Sequence, residues 1–458
     1  LHFARSMAFE LTKEYIEQVK SELESGQKTE FLLGINDLHP ADIAEIFDNI
    51  SVDEGNQLYH VLNTEIASDV LIEMEEDVRE NFLASLEAEE IAKTFIENMD
   101  SDDAADMLQE LPDRKKDDVI SNIEDAEQAS DIVDLLHYPE DSAGGLMAKE
   151  LIKVNVSWSI LKCVREMRKQ AEDIQNVYTI YVIDDREKLV GTLSLKRLLL
   201  APTESKVKDL YYQDVLSVKA YEKSEEVAAI MEKYDLVALP VVDELDRLIG
   251  RITIDDIVDV IKEEADKDYQ MASGISESVD SADSVRVLTR ARLPWLLVGL
   301  LGGILGALVI SRYEGQLELY PEIALFIPLI AAMGGNVGVQ SSAIIVQGLA
   351  NNSLGFDSLF ARLGKEFLVA ILNGLVCSVL ILGYTLVFED SINLAASVSV
   401  ALILVIVFAG LFGTFVPLML DKYKIDPALA TGPFITTMND IVGLFIYFGI
   451  GHLMYNLF

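Results

Sequence analysis

Cysteine is nearly absent from this 458-residue chain, and positive charge falls far short of negative. Its two cysteines, Cys163 and Cys377, fall in a polar half and in an apolar run, so no disulfide framework shapes the fold. No P-loop, HExxH, Cys/His metal spacing or nucleophile elbow occurs, which argues against a membrane enzyme. Lys and Arg number 36 against 76 Asp and Glu, for a formal net charge of −40. Such a balance argues against nucleic acid and anionic lipid as partners and in favour of cations. The charge is unevenly spread: from Arg286 onward there are only 10 acids and 8 basic residues, so nearly all the excess lies in residues 1–285. No signal peptide is expected ahead of that acidic half. The opening L-H-F-A-R-S before Met7 reads as a cloning remnant, and residues 1–7 are set apart.

The low-charge half contains five apolar stretches, roughly 293–311, 323–348, 366–388, 395–420 and 428–456. Each is long enough to cross a bilayer. Arg286, Arg290, Arg292, Arg362, Lys365, Lys422 and Lys424 fall in loops on one side, and the alternate loops hold only Arg312. The positive-inside rule then puts the N-terminal half in the cytoplasm and the C-terminus outside. Asp440 is the one acid expected in a span interior, twelve residues into the last stretch and roughly 18 Å along a helix. A lone carboxylate there is costly unless it faces water or a cation. A helix–helix hydrogen bond to Asn439 or Asn336, or a protonated acid, is the plainer reading; a cation pathway is the one favoured. M-G-G-N-V-G-V-Q-S-S (333–342) crowds small and polar residues into the second span, and Pro433 is expected to free backbone carbonyls in the fifth.

Residues 8–138 read as short helices, with apolar residues such as Ile43, Ile46, Phe47 and Ile50 at three- and four-residue spacing. Repeated helix pairs predict a small superhelical array. Asp102 and Asp106 share a helical face. Between 142 and 262 the chain repeats itself: Y-V-I-D-D-R-E-K-L-V-G (181–191) matches P-V-V-D-E-L-D-R-L-I-G (240–250) at an offset of 59. Each copy is preceded by a strand (Leu151–Val154, Val215–Val218) and a helix. The strand–helix–strand–strand–helix plan resembles a tandem pair of CBS domains. Such pairs often hold adenosine nucleotides, and the second copy has the matching Thr253 and Asp256; the first departs, with Ser194 followed by Arg197. One ATP site or an empty structural module are both open. The second copy's last helix continues as D-D-I-V-D-V-I-K-E-E-A-D-K-D-Y (255–269), placing Asp256, Asp259, Glu263 and Asp266 on one stripe, where like charges repel.

One acid per chain cannot build a calcium cage of six to eight oxygens, whereas hydrated Mg²⁺ is often held by one or two carboxylates. A two-fold dimer would bring two Asp440 side chains to one axis, with Gly335, Asn336, Thr436 and Pro433 near them. The order of elements, and the stretches M-G-G-N-V-G-V-Q-S-S and D-P-A-L-A-T-G-P-F-I-T-T-M-N-D, resemble the MgtE family of bacterial magnesium channels. The resemblance implies a multidomain fold: an α-helical superhelical N domain (8–138), an α/β tandem CBS pair (139–203 and 204–263), a connecting plug helix (264–285) and a five-span α-helical transmembrane domain (286–458). It implies a homodimer in the cell membrane, an axial pore with Asp440 as ion-binding carboxylate, and Mg²⁺ as both transported ion and regulator. The implied sensor residues are Asp102, Asp106, Glu225, Asp235, Asp256, Asp259, Glu264 and Asp268; Lys267 stands where the pattern has an acid. Two other functions compete: a gradient-coupled secondary transporter of Mg²⁺, Co²⁺ or Mn²⁺, and a CBS energy sensor on a membrane anchor.

Overall fold

The computed structural model describes residues 9–457 except 10, 26–28, 172–173, 175–176, 281–282, 351–353, 356–357, 390 and 431. Residues 1–7 therefore lie outside the described residues. The chain forms two compact units, Leu1–Ile261 and Lys262–Phe458.

The first unit begins as a run of short helices, each started by a local capping device. Ser51 and Glu54 make a reciprocal capping box, with the Ser51 amide donating to the Glu54 carboxylate at 2.7 Å. Asp125 accepts the amides of Glu127 and Gln128 at the start of Ala126–Leu135. The three- and four-spaced Ile43, Ile46 and Phe47 are buried, as their period requires.

The two repeats form two three-stranded sheets. In the first, β1 (Ile152–Asn155) pairs parallel with β2 (Ile180–Ile183), which pairs antiparallel with β3 (Leu189–Leu193). In the second, β4 (Val218–Lys219), β5 (Ala238–Val242) and β6 (Leu248–Thr253) repeat that order. Even the register recurs, Val182 opposite Gly191 and Val241 opposite Gly250. The strand expected over Val215–Val218 is shorter and later than the spacing predicts. Upstream of it, Tyr212 exchanges backbone hydrogen bonds with Thr192 (2.9 and 2.8 Å), which ties this segment to the first sheet instead. Gly191 permits that approach, since a side chain there would overlap the Tyr212 carbonyl. The second repeat shares one continuous apolar core with the helical array, from Val19 to Val260, whereas the first has its own core around Val154, Ile180 and Leu193.

Helix Ile254–Ala272 leads from the second repeat into the second unit. Among the described residues, five helices there are long and apolar enough to cross a membrane: Val285–Arg312, Pro321–Ala350, Leu359–Phe388, Ile392–Lys422 and Pro433–Tyr455. The fourth is the most buried and packs against the second, third and fifth. Gly413 lets it approach the second closely, because a side chain there would overlap the Gly338 carbonyl. Two boundaries differ from the hydropathy reading. The third span starts at Leu359, so Glu366 is inside it and Asp440 is not the only intrahelical acid. The fifth starts at Pro433, after a short 3-10 turn at Pro427–Ala430, so Asp440 lies only about 10 Å into it. Pro433 thus opens that helix, where a missing N–H costs nothing, and frees no carbonyl within it.

Candidate cation pathway and sensor sites

The second and fifth spans enclose a cleft of about 340 Å³ lined by Ala331, Ala332, Gly335, Asn336, Val339, Gln340, Thr436 and Asp440. Helical periodicity builds it. Ala332, Asn336 and Gln340 are one turn apart on the second span, and Thr436 and Asp440 one turn apart on the fifth. Gly335 lets the helices meet, since a Cβ there would lie 3.9 Å from Asp440 Oδ1 and 3.1 Å from Thr436 Cγ2. The neighbouring Asn439 turns inward and donates its amide to the Gly334 carbonyl at 3.2 Å, so it is occupied elsewhere. Pro433, expected beside the acid, stands outside this lining. Gln340 was not singled out, although its four-residue spacing from Asn336 was readable.

At the start of the fifth span, Gly432 (φ +50°) meets the Ala272 carbonyl, and Gly274 (φ +82°) packs on the Pro433 ring. A Cβ on Gly274 would come 2.6 Å from Pro433 Cγ. The end of the acidic helix therefore abuts the fifth span two turns before Asp440. It is fastened there by Ser276, whose amide (2.9 Å) and hydroxyl (2.8 Å) both donate to the Ala291 carbonyl. Gln270 adds two bonds to the Val279 backbone, at 2.8 and 2.9 Å. Farther up the same helix, Asp268 sits among Asp426, Glu264 and Lys267; burial, with the neighbouring acids, raises its carboxyl above the usual range. Lys267 pairs with Glu264 at 3.0 Å, which neutralises part of that group.

The strongest acid cluster is in the first unit, at the start of helix Ser101–Gln109. Asp100, Asp102 and Glu150 each offer an oxygen within 4.8 Å of the others. Asp102 is only 9% exposed. Ser101 orders the group: its hydroxyl donates to Glu150 at 2.8 Å and accepts from the Lys149 amide at 2.9 Å. Burial, followed by the mutual repulsion of Asp103, Asp256, Asp100 and Glu150, pushes the Asp102 carboxyl well above the usual carboxylate range. Desolvation and then neighbouring acids push Asp103 (Asp256, Asp100, Asp106) and Asp106 (Asp256, Glu140, Glu110) to about 7 and Asp100 (Glu150, Asp255) to about 6. Asp256 is pushed to about 6 by burial, even though Thr253 donates to it from its amide (3.1 Å) and hydroxyl (2.8 Å). Arg251, 3.6 Å from Asp100, is a buried counter-charge beside the cluster. A group of mutually repelling carboxylates around the buried Asp102 offers the hard oxygen donors that Mg²⁺ takes.

The structure thus brings Asp102, Asp106 and Asp256 together, and Glu264 with Asp268. Asp259 is exposed but close enough to Asp256 for its charge to raise that carboxyl, whereas Glu225 and Asp235 are exposed and in neither group. Asp100, Asp103, Glu150 and Asp426 join the groups without having been foreseen. Arg197, the first repeat's counterpart of Asp256, donates to the Leu210 carbonyl at 2.7 Å and lies over the Tyr212 ring, so it braces the fold.

Fold and site define a multi-pass membrane protein with a carboxylate in a polar intramembrane cleft and an acid-rich soluble unit built on a CBS pair. Family models described as a divalent cation transporter, the MgtE intracellular N domain and the CBS domain match residues 327–450, 38–141, and 143–204 with 207–263. The magnesium transporter MgtE of Bacillus subtilis (strain 168) is 33% identical, over 93% of this chain and 94% of its own length. That of Thermus thermophilus is 30% identical, over 92% and 94%. A crystal structure of the cytosolic domain of the Mg²⁺ channel MgtE in complex with ATP, 29% identical, covers 54% of this chain and 99% of its own, with a TM-score of 0.50. The chain belongs to the MgtE family.

Proposed function

We propose that this chain is a Mg²⁺-selective channel for magnesium uptake, closed by intracellular Mg²⁺. It acts as a homodimer in a bacterial cell membrane, with the N-terminal half cytoplasmic and the C-terminus outside. The helical N domain spans 8–138, the CBS repeats 139–203 and 204–263, the plug 264–285 and the transmembrane domain 286–458. The observation that carries the reading is Asp440, a carboxylate in a polar cleft two turns beyond the point where the acidic helix abuts the pore helix.

Asp440 attracts the hydrated ion, and Asn336, Gln340 and Thr436 hydrogen-bond its water shell, which Mg²⁺ surrenders reluctantly. A dimer pairs the two Asp440 groups across the pore axis. In low magnesium, the carboxylates of Asp100, Asp103, Asp106, Glu150 and Asp256 around the buried Asp102 hold protons or repel one another. Mg²⁺ replaces those protons and pulls the acids together, favouring the compact state in which Gly274 rests on Pro433. That is a population shift driven by differential binding. Glu225, Asp235, Asp259, Glu264 and Asp268 belong to the same response, and ATP at Thr253 and Asp256 would share the Asp256 carboxylate with it.

The test is Mg²⁺ flux into proteoliposomes with no proton or sodium gradient, with and without Mg²⁺ on the side of the soluble unit. Flux that persists without a gradient and stops at millimolar Mg²⁺ supports the channel. Flux that needs the gradient supports a coupled transporter.

A further inference from the structure

A second carboxylate in the membrane bundle has no part in the cleft. Glu366 is the eighth residue of the third span, about 10 Å along the helix. Its Oε1 accepts a hydrogen bond from the hydroxyl of buried Ser341, on the second span, at 2.7 Å. The same oxygen lies 2.9 Å from where a Cβ on Gly410, in the fourth span, would be. One oxygen therefore sits where three helices meet, and Gly410 leaves the space for it. Ser341 follows Gln340 in sequence and points roughly 100–140° away from Asn336 and Gln340 around the helix.

We infer that Glu366 is a positioning residue for the pore: through Ser341 it fixes the rotation of the second span, so that Asn336 and Gln340 face Asp440. An acid oriented toward bulk water would hold no helix in place, but this one is turned into the seam. A lever of this kind is needed because the second span is rich in glycine, at Gly334, Gly335 and Gly338, and small contacts alone resist rotation weakly. The interaction requires an acceptor at Oε1 and no charge.

This inference rests on the assignment of the cleft as the pore, and the experiment separates the two. Full-length Glu366→Ala, Glu366→Gln, Ser341→Ala and the double alanine variant are reconstituted beside Asp440→Asn, and flux of Mg²⁺ is compared with that of Ca²⁺ and K⁺. Glu366→Ala and Ser341→Ala should each lower the preference for Mg²⁺ by roughly tenfold, the size expected of one buried hydrogen bond. The double variant should be no worse than either single one, because both remove the same bond. Glu366→Gln, which keeps an oxygen acceptor, should restore the preference. Closure by Mg²⁺ should be unchanged in all of them, which also reports that they are folded. Wild-type preference in both single variants, additive losses, or a Glu366→Gln variant as poor as Glu366→Ala would overturn the inference. An Asp440→Asn variant with wild-type preference would instead overturn the pore assignment.

Discussion

Magnesium binding to the cluster at Asp100–Asp106 should release protons, and the structure says how many. With carboxyls at about 7, Asp103 and Asp106 are each roughly half protonated at pH 7; at about 6, Asp100 and Asp256 are each roughly one-tenth protonated. Asp102 is pushed up as well and adds to the total. Bound Mg²⁺ requires ionised ligands, so binding at pH 7 should expel on the order of one to two protons, and fewer at pH 8.5. Calorimetry of the full-length protein in two buffers of different ionisation enthalpy measures the number. The pH sense is the reverse of a salt-bridged acid. These folded carboxyls are raised above the ordinary 3.8, so their stabilising effect is complete only below 3.8 and is lost progressively as pH rises from there to about 7. The magnesium-free soluble unit should therefore resist proteolysis better at pH 5.5 than at pH 7.5, and Mg²⁺ should remove the difference. Binding heats that do not depend on the buffer at pH 7 would refute the reasoning.

Other changes should separate the parts. Asp102→Asn with Asp106→Asn should stabilise the magnesium-free protein, by removing repulsion around the buried Asp102, while making closure less sensitive to Mg²⁺; thermal unfolding and flux measure the two effects. Gly432→Ala would place a methyl against the Ala272 carbonyl at a backbone angle that disfavours side chains. It should leave flux running at roughly tenfold more Mg²⁺ than closes the wild type, a penalty of the size backbone strain imposes. Asp256→Ala should abolish ATP binding measured by calorimetry if Thr253 and Asp256 hold the ribose, and Arg197→Ala should not.

Most of the architecture was legible because it rests on local patterning. The Ile43–Ile46–Phe47 spacing gave a buried helical face, the 59-residue repeat gave two sheets with the same register, and the apolar runs gave five helices. What was hidden depends on tertiary folding. Glu150 meets Ser101 and Asp102 across nearly fifty residues, and Asp103 and Asp100 read as ordinary helix-start acids until burial is known. Glu366 lay at the edge of an apolar run, and hydropathy does not reveal that its helix begins a further seven residues upstream. Pro433 was misread for a related reason: a proline frees carbonyls inside a helix but not at its first position, and only the chain path tells which it is. Lys267, which stands where the resemblance has an acid, pairs with Glu264.

The pore carboxylate is tested most directly by Mg²⁺ flux through Asp440→Asn in proteoliposomes under an inward magnesium gradient. Asparagine keeps the shape and removes the charge on which ion capture depends. The account predicts flux lowered at least roughly tenfold, or no longer selective for Mg²⁺, in a protein whose soluble unit still gains protease resistance with Mg²⁺. Selective Mg²⁺ flux at the wild-type rate would contradict it.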